Sequence, residues 1–299
     1  MPLYSKKNGK LTMLNALSTQ KEKDLQNLVE DNMSELLEMN FIATEYRTTS
    51  GGRIDTLAVD SLGAPVIVEY KRNKNDNIIN QSLSYLKWLK AQKQEFFEMM
   101  MLNKLGKEVA DGIGLDWKHP RVVCIAEAYS PFDIDTVEVV PLRIDLFKYR
   151  HYEDELFSLE KVNIDNKTGN TYVLDQSMDS EAKASVIEAM KTQDSVLPAI
   201  SNMFDELRER ILEMDEDIVE KPGKRAVAYR ISKIFAEIMI RRDKLVINLR
   251  PIDYEDPRSL VEEIAQGYTV TLNRRITISS LGDLDYAMGI ITQSYKNIL

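Results

Sequence analysis

The sequence predicts an α/β protein in which helices flank a mixed sheet, followed by a smaller α+β domain. Along the first half, a helical pattern, two strand patterns, a second helical pattern and two more strand patterns follow one another. A turn-rich polar interval then separates this half from a second one. The length of 299 residues suits two domains. We expect domains at 1–165 and 196–299, joined by a linker at 166–195.

Composition indicates an ordinary soluble protein, with 43% apolar and 29% charged residues. The single cysteine, Cys124, has no partner for an internal disulfide, and no apolar run is long enough for a membrane span or a secretory signal. We therefore expect a cytoplasmic protein. The net charge of -9 argues against nucleic-acid binding through overall charge, but it permits a local basic groove or an acidic cation site.

The first elements are a helix and a hairpin. Residues 19–40 have apolar side chains at helical spacing, with Thr19 as a possible N-cap. Residues 53–71 form two strand patterns joined by "SLG", a three-residue loop in which Gly63 suits the left-handed position.

A long amphipathic helix follows at 75–100, and then two strands. The run at 121–129 is typical of a buried strand. The run at 137–149 predicts another strand, in which Pro141 forces part of it to an edge or a bulge.

The second half mixes helical and strand patterns over about a hundred residues, which is a common domain size. We expect helices at 203–214, 229–242, 256–267 (with Gly267 as C-cap) and 283–299, and strands at 244–251 and 274–280.

The hairpin at 53–71 concentrates charge where its neighbours are apolar. Its loop sets a register that places Asp55 directly opposite Glu69, with Lys71 next on the same face and Arg53 opposite Lys71. Two opposed carboxylates are destabilising unless a cation lies between them, and Mg²⁺ is commonly held by one or two carboxylates. The alternative is a solvated face, against which the apolar residues of both strands argue.

These residues also carry a family resemblance. Asp55, thirteen intervening residues and then Glu69-Tyr70-Lys71 resemble the D…(D/E)xK signature of the PD-(D/E)xK nuclease superfamily. The pattern "GGRID…VIVEYKR…Q..SYLKWL" is similar, more narrowly, to the RecB-like domain of NucS-type endonucleases, over residues 20–100. No proline precedes Asp55, and a tyrosine fills the x of ExK.

The resemblance implies a restriction-endonuclease-like core that hydrolyses DNA phosphodiester bonds with Mg²⁺ or Mn²⁺. Asp55 and Glu69 would be metal ligands, with the backbone carbonyl of Tyr70 as a further one. Lys71 would position the attacking water or stabilise the transition state.

Members of such families often add a glutamate from the preceding helix. Glu22 is the best match, as a metal ligand and catalytic residue, because it shares a helical face with Leu25 and Val29. Glu30 is the other candidate. A helix-capping role for Glu22 is an equal alternative.

The resemblance also points to substrate contacts. Gln81 and Tyr85 share a helix face, and in such nucleases they lie near the active site. Arg47 and Arg53 flank the glycine pair and could hold phosphate. Packing in the core is the alternative for Tyr85 and for the nearby Trp88.

A basic stretch at 221–250 holds nine Lys and Arg residues against two acids, which suggests either a phosphate-binding face or a solvated surface. The second half resembles an uncharacterised small domain found after nucleases of this type, and it shows no catalytic constellation.

Two functions follow. The first is a metal-dependent DNA endonuclease, for which the resemblance suggests a homodimer. The alternative is a catalytically inactive module that keeps the nuclease fold and binds nucleic acid or a protein partner.

Overall fold

The computed structural model describes residues 3–17, 21–71, 78–153, 155–162, 180–192, 196–223, 226–264 and 271–298. Thr19 and Gly267, which the sequence predicts as helix caps, lie outside these ranges. None of the helices within them is long and apolar enough to cross a membrane.

The first half folds around one mixed sheet. Its strands are β3 (Ala16–Leu17), β4 (Met39–Arg47), β5 (Arg53–Asp60), β6 (Pro65–Lys71), β7 (Arg121–Ala126), β8 (Arg143–Tyr152) and β9 (Phe157–Lys161). The order is β3-β8-β7-β6-β5-β4, with β9 also on β8. Strands β6, β7 and β8 run parallel, and the other pairs are antiparallel. The predicted mixed sheet is confirmed.

Helices cover both faces of this sheet. They are α1 (Glu22–Asp31), α2 (Met33–Leu37), α3 (Ile78–Lys90), α4 (Gln94–Leu105), α5 (Lys107–Ile113) and α6 (Pro131–Val139). Leu25 and Val29 of α1 pack against the face that carries Tyr70. Helices α3 and α4 pack against the opposite face, which carries Leu57 and Ile67. The burial of apolar side chains on both faces holds this sheet in place.

The β5–β6 hairpin has the predicted register. Leu57 lies opposite Ile67, and Thr56 lies opposite Val68. Gly63 has φ +88°, and a Cβ there would approach the Gly114 carbonyl oxygen to 2.4 Å, so only glycine fits this turn. One residue beyond the paired ladder, the same register puts Asp55 opposite Glu69.

The second half is an α+β unit, as expected. Its antiparallel sheet has the order β10 (Val219–Pro222), β11 (Val227–Arg230), β12 (Ile234–Ile240), β13 (Leu245–Leu249), β15 (Arg274–Ile278) and β14 (Glu262–Glu263). One face packs on α7 (Ser180–Thr192), α8 (Pro198–Leu212) and α9 (Leu284–Lys296). The predicted linker, 166–195, thus contains α7, whose Ile187 and Met190 belong to this core because both are apolar and buried.

The helix predicted at 229–242 is wrong, because this segment forms β11, a short bend and β12. Ala236, Ile238 and Ile240 face the helices, while Glu237 and Met239 alternate with them. This period of two fits a strand rich in β-branched residues. The helix predicted at 256–267 is also absent from its described part, where the strand Glu262–Glu263 lies instead.

The strand predicted to start at 137 begins only at Arg143. Residues up to 139 belong to α6, which Ser130 and Asp133 stabilise as a reciprocal capping box, with Pro131 in the first turn. Pro141 lies in the connection between the two elements.

Both long helices predicted in the first half are interrupted. The first breaks at Asn32, between α1 and α2. It ends at Glu38, which takes a left-handed conformation (φ 56°), and β4 begins at the next residue. The second breaks between Lys90 and Gln94, where Lys93 is extended (φ -86°, ψ 151°).

The N-terminus forms a further hairpin. Strands β1 (Tyr4–Lys7) and β2 (Lys10–Met13) pair around Asn8 and Gly9, which have φ values of 51° and 77°. Asn-Gly with both φ values positive is the signature of a two-residue hairpin turn.

Candidate active site between two strands of the first sheet

Two backbone amides hydrogen-bond to the side chains of Asp55 and Glu69 and hold these carboxylates close together. The Asp55 amide donates a hydrogen bond to Glu69 Oε1 at 3.1 Å, and the Tyr70 amide donates to Asp55 Oδ2 at 3.2 Å. Both acids lie on strands at the centre of a packed sheet, so the carboxylates have little freedom. The structure therefore brings these two predicted residues into one site.

Glu69 has one carboxylate oxygen without a partner. Its side chain is fully buried, and Oε2 has no hydrogen-bond partner among the described residues. An unsatisfied buried oxygen of this kind is costly, at about 1–3 kcal/mol or more for a charged group. The site thus lacks a ligand for this oxygen, either a proton or a cation.

Burial and mutual repulsion change the acidity of this pair. Burial, together with the charge of Asp55, raises the pKa of Glu69 to about 9. Burial also raises the pKa of Asp55, although the Tyr70 amide and Lys71 act in the opposite direction. Without a cation, Glu69 therefore carries a proton at neutral pH.

Lys71 ends β6 beside this pair and contacts α1. Its Nζ lies 3.3 Å from Glu22 Oε1 at the first turn of the helix. Burial opposes the charge of Lys71, but Glu22, Asp55 and Glu69 attract it, so the pKa of the ammonium is raised and it stays protonated. The N-cap of α1 is Lys21, whose side chain makes no capping hydrogen bond, and Glu22 lies in the first turn. The structure places Glu22 at the site edge, 40% exposed.

Glu30, the alternative helix carboxylate, faces a different environment. Its Oε1 accepts hydrogen bonds from Thr56 Oγ1 at 2.5 Å and from Gln26 Nε2 at 2.9 Å. Thr56 also contacts the Tyr70 hydroxyl at 3.3 Å. Glu30 therefore belongs to a hydrogen-bonded network behind the sheet, and Glu22 is the acid next to Lys71.

Gln26 is a further residue of the site, which the sequence pattern does not predict. It is 5% exposed, and its Nε2 donates to the Asp55 carbonyl oxygen at 2.9 Å. It thereby fixes the backbone that carries one of the two acids. A glutamine on an amphipathic helix gives no distinctive signal, and only its register with the buried face could have suggested this contact.

The Tyr70 side chain points away from the acids. It is fully buried in the core on the α1 face, and that burial raises the pKa of the phenol. Its contributions to the site come from the backbone, of which the amide contact to Asp55 is the one already described.

Tyr85 supports the loop before β5. It is 8% exposed, and its hydroxyl accepts hydrogen bonds from the Arg53 amide at 3.2 Å and from Gln81 Nε2 at 3.1 Å. A Cβ at Gly52 would lie 2.6 Å from Tyr85 Cε1, so ring and backbone are in close contact. This burial favours the packing interpretation of Tyr85, and Trp88 is buried in the same core.

Arg47 and Arg53 lie opposite each other on β4 and β5, and both are exposed. Arg53 Nη1 pairs with Glu45 Oε2 at 3.2 Å. The predicted opposition of Arg53 and Lys71 falls outside the β5–β6 ladder, which pairs residues 56–59 with 65–68. Arg47 presents its charge to solvent on the same side of the hairpin.

The basic stretch at 221–250 meets acids of the first half. Glu35 pairs with Lys233 and, at 3.4 Å, with Arg250, while Glu38 pairs with Arg230 at 3.5 Å. Glu38 Oε1 also accepts the Ile234 amide at 2.5 Å. Three of the nine basic residues therefore hold α2 against the second sheet and are not a free phosphate-binding face.

Comparisons with known proteins show what this chain is similar to, but they assign it no reaction. Residues 150–298 match a family described as a domain of unknown function, DUF5655. An uncharacterized protein of Haemophilus influenzae is 28% identical over 307 aligned residues, covering 99% of this chain and 100% of that protein.

Two solved structures are also similar to part of the chain. One is a repair endonuclease from Pyrococcus abyssi, with 18% identity over 44% of this chain and 49% of that chain, and a TM-score of 0.28. The other is an EndoMS–dsDNA2 complex, with 17% identity over 45% of this chain and 46% of that chain, and a TM-score of 0.27. Each match spans about half of the solved chain, and scores this low assign no chemistry.

The site fits a divalent cation held by two carboxylates. In the described segments, no group of three or more His, Cys, Asp and Glu side chains is arranged to bind a metal. Asp55 and the unpartnered Glu69 Oε2 form a pair, and Mg²⁺ commonly takes one or two carboxylates and completes its shell with water and phosphate oxygens. An ammonium beside such a pair can stabilise negative charge at a bound phosphate.

Proposed function

We propose that this chain is a divalent-metal-dependent endonuclease that hydrolyses DNA phosphodiester bonds at the site of Asp55, Glu69 and Lys71. The observation that carries the proposal is the orphaned Glu69 Oε2, which points at a missing ligand beside a second carboxylate. The restriction-endonuclease-like resemblance of "GGRID" and "VEYK" supports the same chemistry.

Asp55 and Glu69 would hold Mg²⁺ or Mn²⁺, with the Tyr70 carbonyl as a further ligand. The cation would supply charge neutralisation at the phosphate and lower the pKa of a bound water. In the hydrolysis itself, the oxygen of a water forms a bond to phosphorus and the bond to one ester oxygen breaks. One water proton ends on the leaving oxygen.

Lys71 is the residue that would act on the reacting phosphate. Its ammonium stays charged and lies against the acid pair, so it can donate a hydrogen bond to the attacking water or to an oxygen that gains charge. Glu22 would orient this ammonium through their 3.3 Å contact.

DNA is proposed as the substrate because two exposed arginines that could hold phosphate lie near the acid pair. Arg47 and Arg53 are exposed at the hairpin end of β4 and β5, and Gln81 lies beside them on α3. Such contacts to phosphate position a nucleic acid without reading its sequence. Tyr85 would act indirectly, by holding the Arg53 backbone.

A cleavage assay tests the proposal. Wild type, Glu69→Gln and the exposed control Glu216→Gln are incubated with labelled single-stranded, duplex, flapped and mismatched DNA, each with Mg²⁺, Mn²⁺ or chelator. We expect cleavage that requires the metal, persists in the control and is lost in Glu69→Gln. Retained DNA binding with no cleavage by wild type would instead support an inactive nuclease-fold module.

A further inference from the structure

We propose that the N-terminal hairpin β1–β2 is an arm that holds a single-stranded segment of nucleic acid through its backbone phosphates and bases. This inference deepens the proposed function, on which it rests for the identity of the ligand. It is carried by the charge of the arm, by its exposed apolar face and by its position beside the site.

The arm is basic within an acidic protein, since residues 4–13 hold three lysines and no acid. Lys6, Lys7 and Lys10 lie within its turn region and are all exposed. No acidic side chain of the described segments forms an ion pair with any of the three, whereas Lys71, Lys161 and Lys233 are each paired. Three free ammonium groups on one two-stranded ribbon are suited to adjacent phosphates, because each neutralised phosphate releases condensed counterions.

One face of the arm also offers apolar contacts. In the register of the hairpin, Tyr4 lies opposite Met13 and Lys6 lies opposite Leu11, so these four side chains share a face. Tyr4, Leu11 and Met13 are 53%, 66% and 55% exposed. Lys6 is the lysine on this face, while Lys7 and Lys10 project from the opposite face and flank the turn. An exposed aromatic ring beside a lysine is an arrangement on which unstacked bases pack, which favours a single strand over a duplex.

The root of the arm lies at the same end of the sheet as the acid pair. Lys71, which ends β6, is level with Ala126 of β7, and Ala126 is level with Lys148 of β8. Strand β3 pairs with His151 and Tyr152, further along β8 in the same direction. At about 3.3 Å per residue and about 4.8 Å per strand, Leu17 lies within roughly 20 Å of Lys71.

Chain connectivity supports this estimate. Glu22 follows Leu17 by five residues, so the two Cα atoms are at most about 18 Å apart. Since Glu22 contacts Lys71 at 3.3 Å, the arm cannot start far from the site. The root is fixed as well, because Asn15 Nδ2 donates to Glu153 Oε1 at 2.9 Å and the Leu14 amide donates to the Leu3 carbonyl at 2.9 Å.

The test compares two triple variants in a Glu69→Gln background, so that no strand is cut. The arm variant is Lys6→Gln, Lys7→Gln and Lys10→Gln. The control is Lys87→Gln, Lys90→Gln and Lys93→Gln, three exposed lysines of α3 and the turn that follows it, of which Lys90 lines a cleft with Trp117 and Pro120. Fluorescence anisotropy of a labelled thirty-nucleotide oligo-dT and of a duplex is measured from 50 to 300 mM salt.

We expect the arm variant to bind the oligonucleotide at least tenfold more weakly at 50 mM salt. The slope of log K against log salt should fall by about 2, since each phosphate contact on a single strand contributes about 0.7. Tyr4→Ala alone should weaken single-strand binding at least fivefold and duplex binding by less. The control triple should change neither affinity nor slope.

The proposal is overturned if the arm and control triples bind alike, or if the parent protein binds no nucleic acid. It is also overturned if the arm variants alter sedimentation but not binding, because the arm would then join copies of the chain. Arm-dependent binding without metal-dependent cleavage by the otherwise wild-type protein would refute the nuclease and leave the arm standing. If the otherwise wild-type protein cleaves DNA with metal but the arm variant binds nucleic acid as tightly as its parent, the nuclease stands and the arm proposal is refuted.

Discussion

Glu69 Oε1 accepts the backbone amide of Asp55 at 3.1 Å, while the other oxygen of the same carboxylate has no partner in the described part of the chain. The Glu69 side chain is fully buried, so the free oxygen is not exposed to solvent either. The pair is therefore built at the expense of stability, which is a common property of sites that bind a ligand.

The first prediction concerns stability against pH in chelator. The pKa of Glu69 is raised to about 9 by burial and by Asp55, so the folded state holds a proton that the unfolded state loses above its ordinary pKa near 4.5. Stability should then fall as pH rises from about 5 to 9. Glu69→Gln removes this loss of unfolding free energy, which amounts to roughly 3 kcal/mol at pH 7.

Urea unfolding followed by tryptophan fluorescence checks this, because Trp88 and Trp117 both lie in the first half. Wild type should lose more free energy of unfolding between pH 5 and pH 8 than Glu69→Gln does. Parallel pH profiles for the two proteins would show that Glu69 is not a buried acid with a raised pKa. Glu216→Gln should follow wild type.

A second prediction separates the two helix carboxylates. Glu22→Gln should slow metal-dependent cleavage about tenfold or more, because Lys71 loses its charged partner. Glu30→Gln should leave the chemical step within a few-fold but lower the free energy of unfolding by about 1–2 kcal/mol, since Thr56 loses a charged acceptor. Single-turnover cleavage and urea unfolding of both variants decide between them; a larger cleavage defect in Glu30→Gln would reverse the assignment.

The third prediction isolates the charge of Lys71. Lys71→Met keeps a long, partly buried side chain but removes the ammonium beside the acid pair. We expect the cleavage rate at saturating DNA to fall by about 100-fold, while Mn²⁺ binding persists. The exposed Lys118→Met is the matched control, and it should cleave like wild type. An unchanged rate in Lys71→Met would remove this lysine from the chemistry.

The fourth prediction concerns the contact between the two sheets. Glu35→Gln with Glu38→Gln removes the charged partners of Arg230, Lys233 and the buried Arg250. Unfolding of the first half, followed by tryptophan fluorescence, should then separate from unfolding of the whole, followed by circular dichroism. Coincident midpoints that match wild type would show that these ion pairs do not couple the two sheets.

The local features of the site could be predicted where a turn fixes the geometry. The loop "SLG" allows one compact connection with Gly63 left-handed, so the register of β5 with β6 follows from three residues. Once this register is set, Asp55 must face Glu69. That Glu69 Oε2 has no partner among the described residues does not follow from the pattern, because it depends on which polar groups the surrounding core contains.

The sequence patterns do not predict ion pairs between residues that lie far apart in the chain. Lys233 and Arg250 belong to a basic stretch, but their acidic partner Glu35 lies about two hundred residues earlier in the chain. The segment at 229–242 fits a helical period because apolar residues dense enough for a buried strand also satisfy the spacing of a helix. Gln26 gave no signal at all, since its partner is a backbone carbonyl.

Calorimetric titration of the metal-free protein with Mn²⁺, in two buffers of different ionisation enthalpy at pH 7.5, tests the central claim most directly. A cation on Glu69 must displace the proton held there, so wild type should bind Mn²⁺ and release about one proton per ion. Glu69→Gln should bind at least a hundredfold more weakly, and Glu216→Gln should match wild type. Equal Mn²⁺ affinity in wild type and Glu69→Gln would contradict the claim that this acid pair is a cation site.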